Sequence, residues 1–290
     1  MPTTILKFIN KYFFICFIYL SFYNQNLYAS KEPIIRVLIA KEKKLRIRSD
    51  SNIPLIVKYK KLIKEDVKGI TLTKDRDSIK LFFDKNKSKF YEIERDKGLL
   101  IKSNDKRGIW VGGKRYSGLI NIKNLKNKIL VVNILGIEKY LTSVVGSEMP
   151  HKWPLEALKA QAIASRTYAL KKTGNDLYDI DSTQKDQVYN GLESNTYKTS
   201  KAVKYTRSLV ITHKNKLINA LFHSSSGGIT ENSEDVWSNK YPYLVSVRDF
   251  DQKNPKMHWK KIFSNKELQI LFPKIGGIKD IEIIDITKTG

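Results

Sequence analysis

The sequence predicts an α+β fold, in which a β-rich N-terminal module is followed by a mixed α+β core with a helix pair and β-hairpins. Short apolar runs, separated by breaks rich in Lys, Asp and Asn, recur from residue 34 to about residue 132, a spacing typical of an all-β module. Two stretches of helical periodicity then follow, one on each side of a break bounded by Pro150 and Pro154. A boundary is predicted near residues 104–113, dividing a β-rich module (31–108) from a second domain (109–290).

The predicted strands are short runs of apolar residues. They cover residues 34–40, 45–47, 53–59, 69–72, 79–83, 90–93, 99–101, 116–122 and 128–135. Gly112 and Gly113 lie between two strand patterns, and no helix opens after them. The glycine pair therefore predicts a hairpin turn rather than a phosphate-binding loop.

The first predicted helix ends in a carboxylate. Its apolar residues recur at helical spacing, at Ile137, Tyr140, Leu141, Val144 and Val145. Pro150 disfavours helical geometry at Met149, so the helix should end close to Glu148. There the Glu148 side chain meets the negative end of the helix dipole, which raises its pKa. That is the direction that a general acid requires.

The second predicted helix begins at Pro154, which suits a first helical position, and has Glu156 in its first turn. Residues spaced by four, three, four and three share one face of it: Leu155, Lys159, Ala162, Arg166 and Ala169. On this face two cations alternate with alanines, which leaves room for a polymer to approach. The alternative is that both cations are ordinary charges on a solvated helix.

Three separated blocks of the sequence resemble the stage II sporulation protein D family, which also includes amidase-enhancer proteins of bacterial cell walls. The blocks read GSEMPHKWPLEALKAQAIASRTYAL from residue 146, DSTQKDQVYNG from residue 181, and ALFHSSSGGITENSEDVW from residue 220, followed by YPYLVSV from residue 241. The resemblance covers roughly residues 131–247 and implies that residues 109–290 are a catalytic domain acting on peptidoglycan. Family members usually continue beyond the point where this sequence stops, so a truncated C-terminus is expected.

The resemblance implies a lytic transglycosylase, which cleaves the bond between N-acetylmuramic acid and N-acetylglucosamine and leaves 1,6-anhydro ends. Glu148 is the expected general acid and base. Ordinary glycosidases need two carboxylates, but here a hydroxyl of the muramic acid replaces the water, so one carboxylate is enough. The residues expected to bind the glycan are Lys159, Gln161, Arg166, Tyr189, His223, Ser225, Ser226 and Glu231.

His223 precedes a loop of three serines and two glycines that is rich in hydrogen-bond donors. Segments 209–212 and 217–222 predict a hairpin that delivers His223 to the rim of the cleft. A serine hydrolase is the alternative interpretation. It is disfavoured because His223 and Ser224 are neighbours on an extended chain and point apart, and no G-x-S-x-G motif is present.

Glu231, Glu234 and Asp235 follow the serine loop and by themselves indicate a helix start or a solvated turn. The resemblance implies that Glu231 faces the cleft. Some family members resemble zinc proteins, with Cys and His in or just before the second block. This chain has Gln184, Lys185 and Asp186 there instead, which is not a set of zinc ligands. Neither a metal nor another cofactor is therefore predicted.

The chain is strongly basic: 53 Lys and Arg against 29 Asp and Glu give a net charge of +24 among 290 residues. Such a charge favours polyanionic partners, although translation of AT-rich DNA also enriches lysine. Because no nucleic-acid-binding motif is visible, nucleic acid is not a predicted partner. The predicted partners are peptidoglycan glycan strands, an anionic envelope surface and a cell-wall amidase. A non-catalytic enhancer of an N-acetylmuramoyl-L-alanine amidase and a structural envelope protein stay open as alternatives.

Residues 1–29 have the pattern of a signal peptide. Lys7 and Lys11 precede an apolar run at residues 12–23, and a cleavage site is predicted after Ala29. The run is shorter than the roughly 20 residues that span a bilayer. Leu27 is large for the −3 position, so an uncleaved anchor is the alternative. The protein is therefore expected to be exported to the cell envelope, where the mature chain has no cysteine.

Overall fold

In the computed structural model, the described residues are 32–50, 52–94, 98–172, 176–237, 239–251, 260–278, 280–284 and 286–287. The predicted signal peptide, residues 1–29, lies outside these ranges. Helices within them are all too short or too polar to cross a bilayer. Strands and helices both contribute to the fold, which confirms the predicted α+β class.

The strands fall into two large sheets and one small hairpin. Their bounds are β1 Ile34–Glu42, β2 Lys44–Arg48, β3 Leu55–Tyr59, β4 Leu62–Val67, β5 Gly69–Asp75, β6 Ser78–Phe83, β7 Asn86–Ile93, β8 Leu99–Ser103, β9 Ile109–Val111, β10 Lys114–Tyr116, β11 Leu119–Asn124, β12 Ile129–Gly136, β13 Ile180–Asp181, β14 Thr212–His213 and β15 Lys216–Leu217. The first sheet has the order β13-β1-β12-β11-β8-β3-β4, the second β10-β9-β2-β5-β6-β7, and β14 pairs with β15.

Both large sheets bury one face in the same hydrophobic core. Buried and half-buried residues alternate along β6 and β11, as expected for strands that present every second side chain to a core. The Gly112-Gly113 turn is confirmed: β9 and β10 pair antiparallel across it, and Gly112 adopts a φ of +60°. Strand β4 was not predicted, because its sequence, LIKEDV, shows no apolar run.

The predicted boundary between residues 108 and 109 passes through both sheets. Strands β9 and β10 follow it in the chain, yet they extend the second sheet beside β2, and β11 and β12 lie between β8 and β1 in the first sheet. The reason is that apolar residues on both sides of the boundary, such as Ile101 and Ile120, belong to one core. Residues Ile35–Gly290 accordingly form a single compact unit, contrary to the predicted separation.

The described helices are α1 Ile137–Glu148, α2 Leu155–Lys171, α3 Tyr197–Tyr205, α4 Ser233–Val236 and α5 Asn265–Leu271, with a 3₁₀ helix at Gly191–Ser194. The predicted helix pair is confirmed as α1 and α2. The five apolar residues predicted to share a face of α1 are all buried. Helix α1 ends at Glu148, as expected, because Met149 precedes Pro150 and adopts an extended conformation.

Candidate functional site

Glu148 is the last residue of α1 and is half-buried. Its Oε1 accepts a hydrogen bond of 2.5 Å from the backbone N–H of Val188. Burial raises the pKa of Glu148, and the Val188 hydrogen bond, which favours the charged form, opposes that rise. The direction of the shift agrees with the prediction, and removal from water is its largest cause.

The position of Val188 is fixed by its neighbours in the chain. The hydroxyl of buried Tyr140 donates to Gln187 Oε1 at 3.1 Å, and Gln187 Nε2 donates to the Ser165 carbonyl at 3.4 Å. On the other side, the Asn190 N–H donates to Ser147 Oγ at 3.3 Å. The second sequence block thus holds the backbone N–H of Val188 against Glu148. The sequence could not predict this contact, because every residue except proline has a backbone N–H.

Tyr189 serves the same anchoring role and is almost fully buried, at 3% exposure. Its hydroxyl donates to Asn133 Oδ1 at 2.7 Å, and its ring packs 5.7 Å from that of Tyr116 and 5.2 Å from that of Tyr140. This placement contradicts the predicted contact between Tyr189 and glycan. Gln161 is also buried, and its Nε2 donates to Ser165 Oγ at 3.0 Å, which contradicts its predicted contact as well.

Arg166 is 1% exposed and makes a bidentate ion pair with Glu138 of α1, with N–O distances of 2.9 and 2.7 Å. Its Nη1 also donates to the Leu209 carbonyl at 3.0 Å. A substrate outside the protein cannot reach this side chain, so the predicted glycan contact is contradicted. The face of α2 that contains Arg166 packs against α1 instead of facing solvent.

Lys159 lies about two helical turns closer to the start of α2 than Arg166 and is only half-buried. Its Nζ contacts Glu156 Oε2 at 2.8 Å, and the Glu156 side chain is 78% exposed. Because an exposed pair of this kind exchanges readily with other partners, Lys159 can still contact a polymer. Its predicted role stays a prediction.

A cleft of about 780 Å³ lies in the region that follows the β14–β15 hairpin. His223, Ser226 and Glu231 all line it, so the structure brings three predicted residues together. The remaining lining residues are Leu221, Gly227, Ile229, Thr230, Val236, Trp237, Tyr243, Leu244, Val245 and Val247. Glu148 is not among them. The structure therefore brings together three of the predicted binding residues, and their joining to Glu148 in one site stays a prediction.

The hairpin before this cleft is shorter than predicted. Only Thr212–His213 and Lys216–Leu217 pair, across a turn in which Lys214 and Asn215 have positive φ. The predicted strand over residues 217–222 ends at Leu217, so His223 reaches the cleft on irregular backbone. Beyond it, Glu234 and Asp235 lie in α4, which confirms the helix start indicated by the sequence.

The serine loop contacts two aspartates that the sequence prediction missed. Ser225 Oγ donates to Asp251 Oδ2 at 2.5 Å, and the backbone N–H groups of Ser226 and Gly227 donate to the same oxygen at 2.8 and 3.1 Å. Ser226 Oγ donates to Asp249 Oδ2 at 2.8 Å. The donors expected to hold glycan thus hold carboxylates of the protein itself, Ser225 in particular. The sequence feature that could have predicted these contacts is the pair of aspartates that follows the YPYLVSV block, Asp249 and Asp251.

Asp186 lies in the second sequence block, where some family members have zinc ligands, and both of its carboxylate oxygens contact groups of the protein itself. Its Oδ1 contacts Lys172 Nζ at 2.8 Å and accepts from the Tyr168 hydroxyl at 2.9 Å, while Oδ2 accepts from the Asp181 N–H at 2.8 Å. In the described part of the chain, no group of three His, Cys, Asp or Glu side chains is placed to hold a metal. The absence of a metal stays a prediction.

The raised pKa of Glu148 predicts a pH-dependent effect on stability. Below the ordinary pKa of 4.5, the side chain is protonated in both the folded and the unfolded state. As pH rises through the higher folded pKa, the folded state must lose a proton from a buried site, and stability is lost. The Glu148→Gln side chain has no such proton to lose. We therefore expect the melting temperature of the variant, relative to that of wild type, to be higher at about pH 7 than at about pH 4. An equal difference at both values would contradict the raised pKa.

Gly146 allows α1 to approach the 3₁₀ helix at Gly191–Ser194. A Cβ at residue 146 would lie 2.1 Å from the Ser194 carbonyl oxygen, and a backbone atom cannot move away easily. We expect Gly146→Ala to lower the free energy of unfolding by about 1–3 kcal/mol, the usual cost of overpacking. Chemical denaturation measures this. Gly113→Ala is the control, since a Cβ there meets nothing within 4 Å; an equal loss in both variants would contradict the packing argument.

Comparison with known proteins places residues 125–213 in a family described as Stage II sporulation protein, a match that includes Glu148 and ends before His223. The chain is 38% identical over 182 residues to the amidase enhancer of Bacillus subtilis, covering 62% of this chain and 23% of that protein. It is 36% identical over 157 residues to stage II sporulation protein D of Bacillus subtilis, covering 48% and 46%.

An uncharacterised protein of Brachyspira hyodysenteriae is 39% identical over 175 residues, covering 59% of this chain and 47% of that protein. The chain thus spans less than half the length of each of these relatives.

Proposed function

We propose that this chain, which belongs to the family of stage II sporulation protein D and the amidase enhancer, is a peptidoglycan lytic transglycosylase with Glu148 as its general acid and base. One observation carries the proposal: a half-buried carboxylate with a raised pKa ends α1, and a single backbone N–H holds one of its oxygens. A carboxyl group that keeps its proton to higher pH is suited to protonate a leaving group.

The reaction begins with protonated Glu148 donating its proton to the glycosidic oxygen between N-acetylmuramic acid and N-acetylglucosamine. The bond from this oxygen to the anomeric carbon breaks, and positive charge develops on the muramic acid ring. The 6-hydroxyl of the same ring then attacks the anomeric carbon, and its proton returns to the Glu148 carboxylate. Glu148 ends as it began, and the new C1–O6 bond is the 1,6-anhydro end.

The hydrogen bond from Val188 suits the middle of this cycle. After Glu148 has given up its proton, the carboxylate needs stabilisation, and the Val188 N–H already points at Oε1. Within the described residues no other hydrogen bond to this carboxylate is formed, so Oε2 is the oxygen we assign to proton transfer. Tyr140 and Gln187 act as positioning residues, because they fix the backbone on which Val188 lies.

A second function, a non-catalytic enhancer of an N-acetylmuramoyl-L-alanine amidase, is supported by a different observation. The cleft around His223 does not include Glu148, so a binding surface exists that needs no chemistry from the carboxylate. The 38% identity to an amidase enhancer points the same way. Either function places the protein outside the cytoplasm at the cell wall, where its net charge of +24 favours anionic envelope polymers.

Incubation of the purified protein with peptidoglycan glycan strands, alone and together with a cell-wall amidase, tests these functions. A transglycosylase produces anhydro-muramic ends by itself, which mass spectrometry detects. An enhancer produces none but accelerates release of stem peptides by the amidase. Binding to the wall without either effect would favour a structural envelope protein and overturn both proposals.

A further inference from the structure

The loop Ser225–Gly227 forms a pocket for a single oxygen atom, which we call the oxyanion nest. Three donors of this loop, the Ser225 hydroxyl and the N–H groups of Ser226 and Gly227, converge on Asp251 Oδ2 at 2.5, 2.8 and 3.1 Å. Gly227 and Gly228 have φ values of +79° and +110°, a left-handed conformation that glycine adopts without strain. Successive amides turned toward one point are a recurring way to bind an anion.

Only one of the two carboxylate oxygens of Asp251 is held by the nest. Its second oxygen, Oδ1, is buried and has no hydrogen-bond partner among the described residues. A buried carboxylate oxygen without a donor costs free energy, because it has lost its hydration and gained nothing in return. An anion that placed one oxygen in the nest and kept the other in contact with water or a donor would avoid this cost.

The oxyanion nest lies at the wall of the cleft. Ser226 and Gly227, whose amides hold Asp251, also line the cleft together with His223. A ligand in the cleft therefore lies beside the same donors. Trp237 and Tyr243, which also line the cleft, offer aromatic surfaces against which a sugar ring or an apolar side chain can pack.

We propose that the oxyanion nest is a carboxylate-binding subsite of the cleft, and that Asp251 is a built-in occupant which a ligand carboxylate displaces. The inference rests on the proposed function, since peptidoglycan carries carboxylates on the lactyl group of muramic acid and on its stem peptides. Asp251 lowers the apparent affinity for such ligands, because the nest must be vacated before a ligand carboxylate can enter.

Calorimetric titration of wild type and Asp251→Ala with N-acetylmuramic acid and N-acetylglucosamine tests this. The two sugars differ only in the lactyl group. If Asp251 occupies the nest about nine-tenths of the time, its removal should tighten binding of N-acetylmuramic acid about tenfold and leave N-acetylglucosamine unchanged. Asp249→Ala is the control, since Asp249 accepts only the Ser226 hydroxyl in this loop and does not enter the nest.

Unchanged or weakened binding of both N-acetylmuramic acid and muramyl dipeptide by folded Asp251→Ala would overturn the proposal, as would an equal gain for the neutral sugar. If that variant does not fold, Asp251→Asn keeps the shape without the charge, and a smaller gain in the same direction is expected. Muramyl dipeptide distinguishes a lactyl carboxylate from a peptide carboxylate, because its lactyl carboxyl group is bound in an amide and its free carboxylate belongs to the peptide. Tighter binding of this ligand by Asp251→Ala would therefore assign the nest to a peptide carboxylate. Because titration needs no turnover, a protein that fails to cleave glycan leaves this test intact.

Discussion

Glu148→Gln is expected to lower glycan cleavage by about 10²–10⁴-fold while glycan binding is retained. The substitution keeps the size of the side chain and an oxygen that can accept the Val188 hydrogen bond, but it removes the proton that titrates. The expected loss is the usual contribution of general acid–base catalysis. The rate at which anhydro-muramic ends form, measured beside a glycan pull-down, separates chemistry from binding.

Glu156→Gln is the matched control for this variant. It makes the same chemical change in the first turn of α2, where the carboxylate is exposed and pairs with Lys159. Cleavage by Glu156→Gln should stay near that of wild type. Near-normal cleavage by Glu148→Gln, or an equal loss in both variants, would sink the proposed mechanism. Loss of cleavage with unchanged stimulation of an amidase would mean that the two functions coexist in one chain.

The catalytic candidate was predictable because its signals are local. The spacing of apolar residues located α1, and Pro150 placed its end at Glu148 without any information from the rest of the chain. The strands β1, β6 and β8 were found for the same reason, since short runs dominated by apolar residues mark each of them. Strands β9 and β10 were not predicted as separate strands. Each has only three residues and is recognisable as a strand only from its pairing, β9 with β2 and β9 with β10.

Gln161 and Arg166 on α2 were mispredicted because periodicity shows which residues share a face of a helix but not what covers that face. Arg166 and Ala162 do share a face, as predicted, yet α1 packs against it. Glu138, the partner of Arg166, precedes it by 28 residues, and nothing in the sequence marks the pair. The same holds for Tyr189 and Asn133, and for the serine loop and Asp251, where hydrogen bonds inside the protein use the groups assigned to substrate.

Arg166→Ala is expected to lower the free energy of unfolding by about 3–5 kcal/mol, the usual effect of removing one partner of a buried ion pair. The change deletes both hydrogen bonds to Glu138, whose side chain is only 16% exposed, and leaves the Leu209 carbonyl without its donor. It also empties the volume of the largest fully buried side chain in the described core. Chemical denaturation of the purified variant measures the loss. Cleavage should then fall because less folded protein is present, not because glycan binds less tightly.

Two further substitutions distinguish a buried structural arginine from a residue that contacts substrate. Arg166→Lys should recover only part of the stability, because one ammonium group cannot form the planar pair of hydrogen bonds to Glu138 and also reach Leu209. Lys159→Ala, on the same helix, should change stability by less than about 1 kcal/mol, since its pair with Glu156 is exposed. If Arg166→Ala folded with wild-type stability and lost glycan affinity, the original prediction of substrate contact would be right, and the burial of this side chain against α1 would not describe the protein in solution.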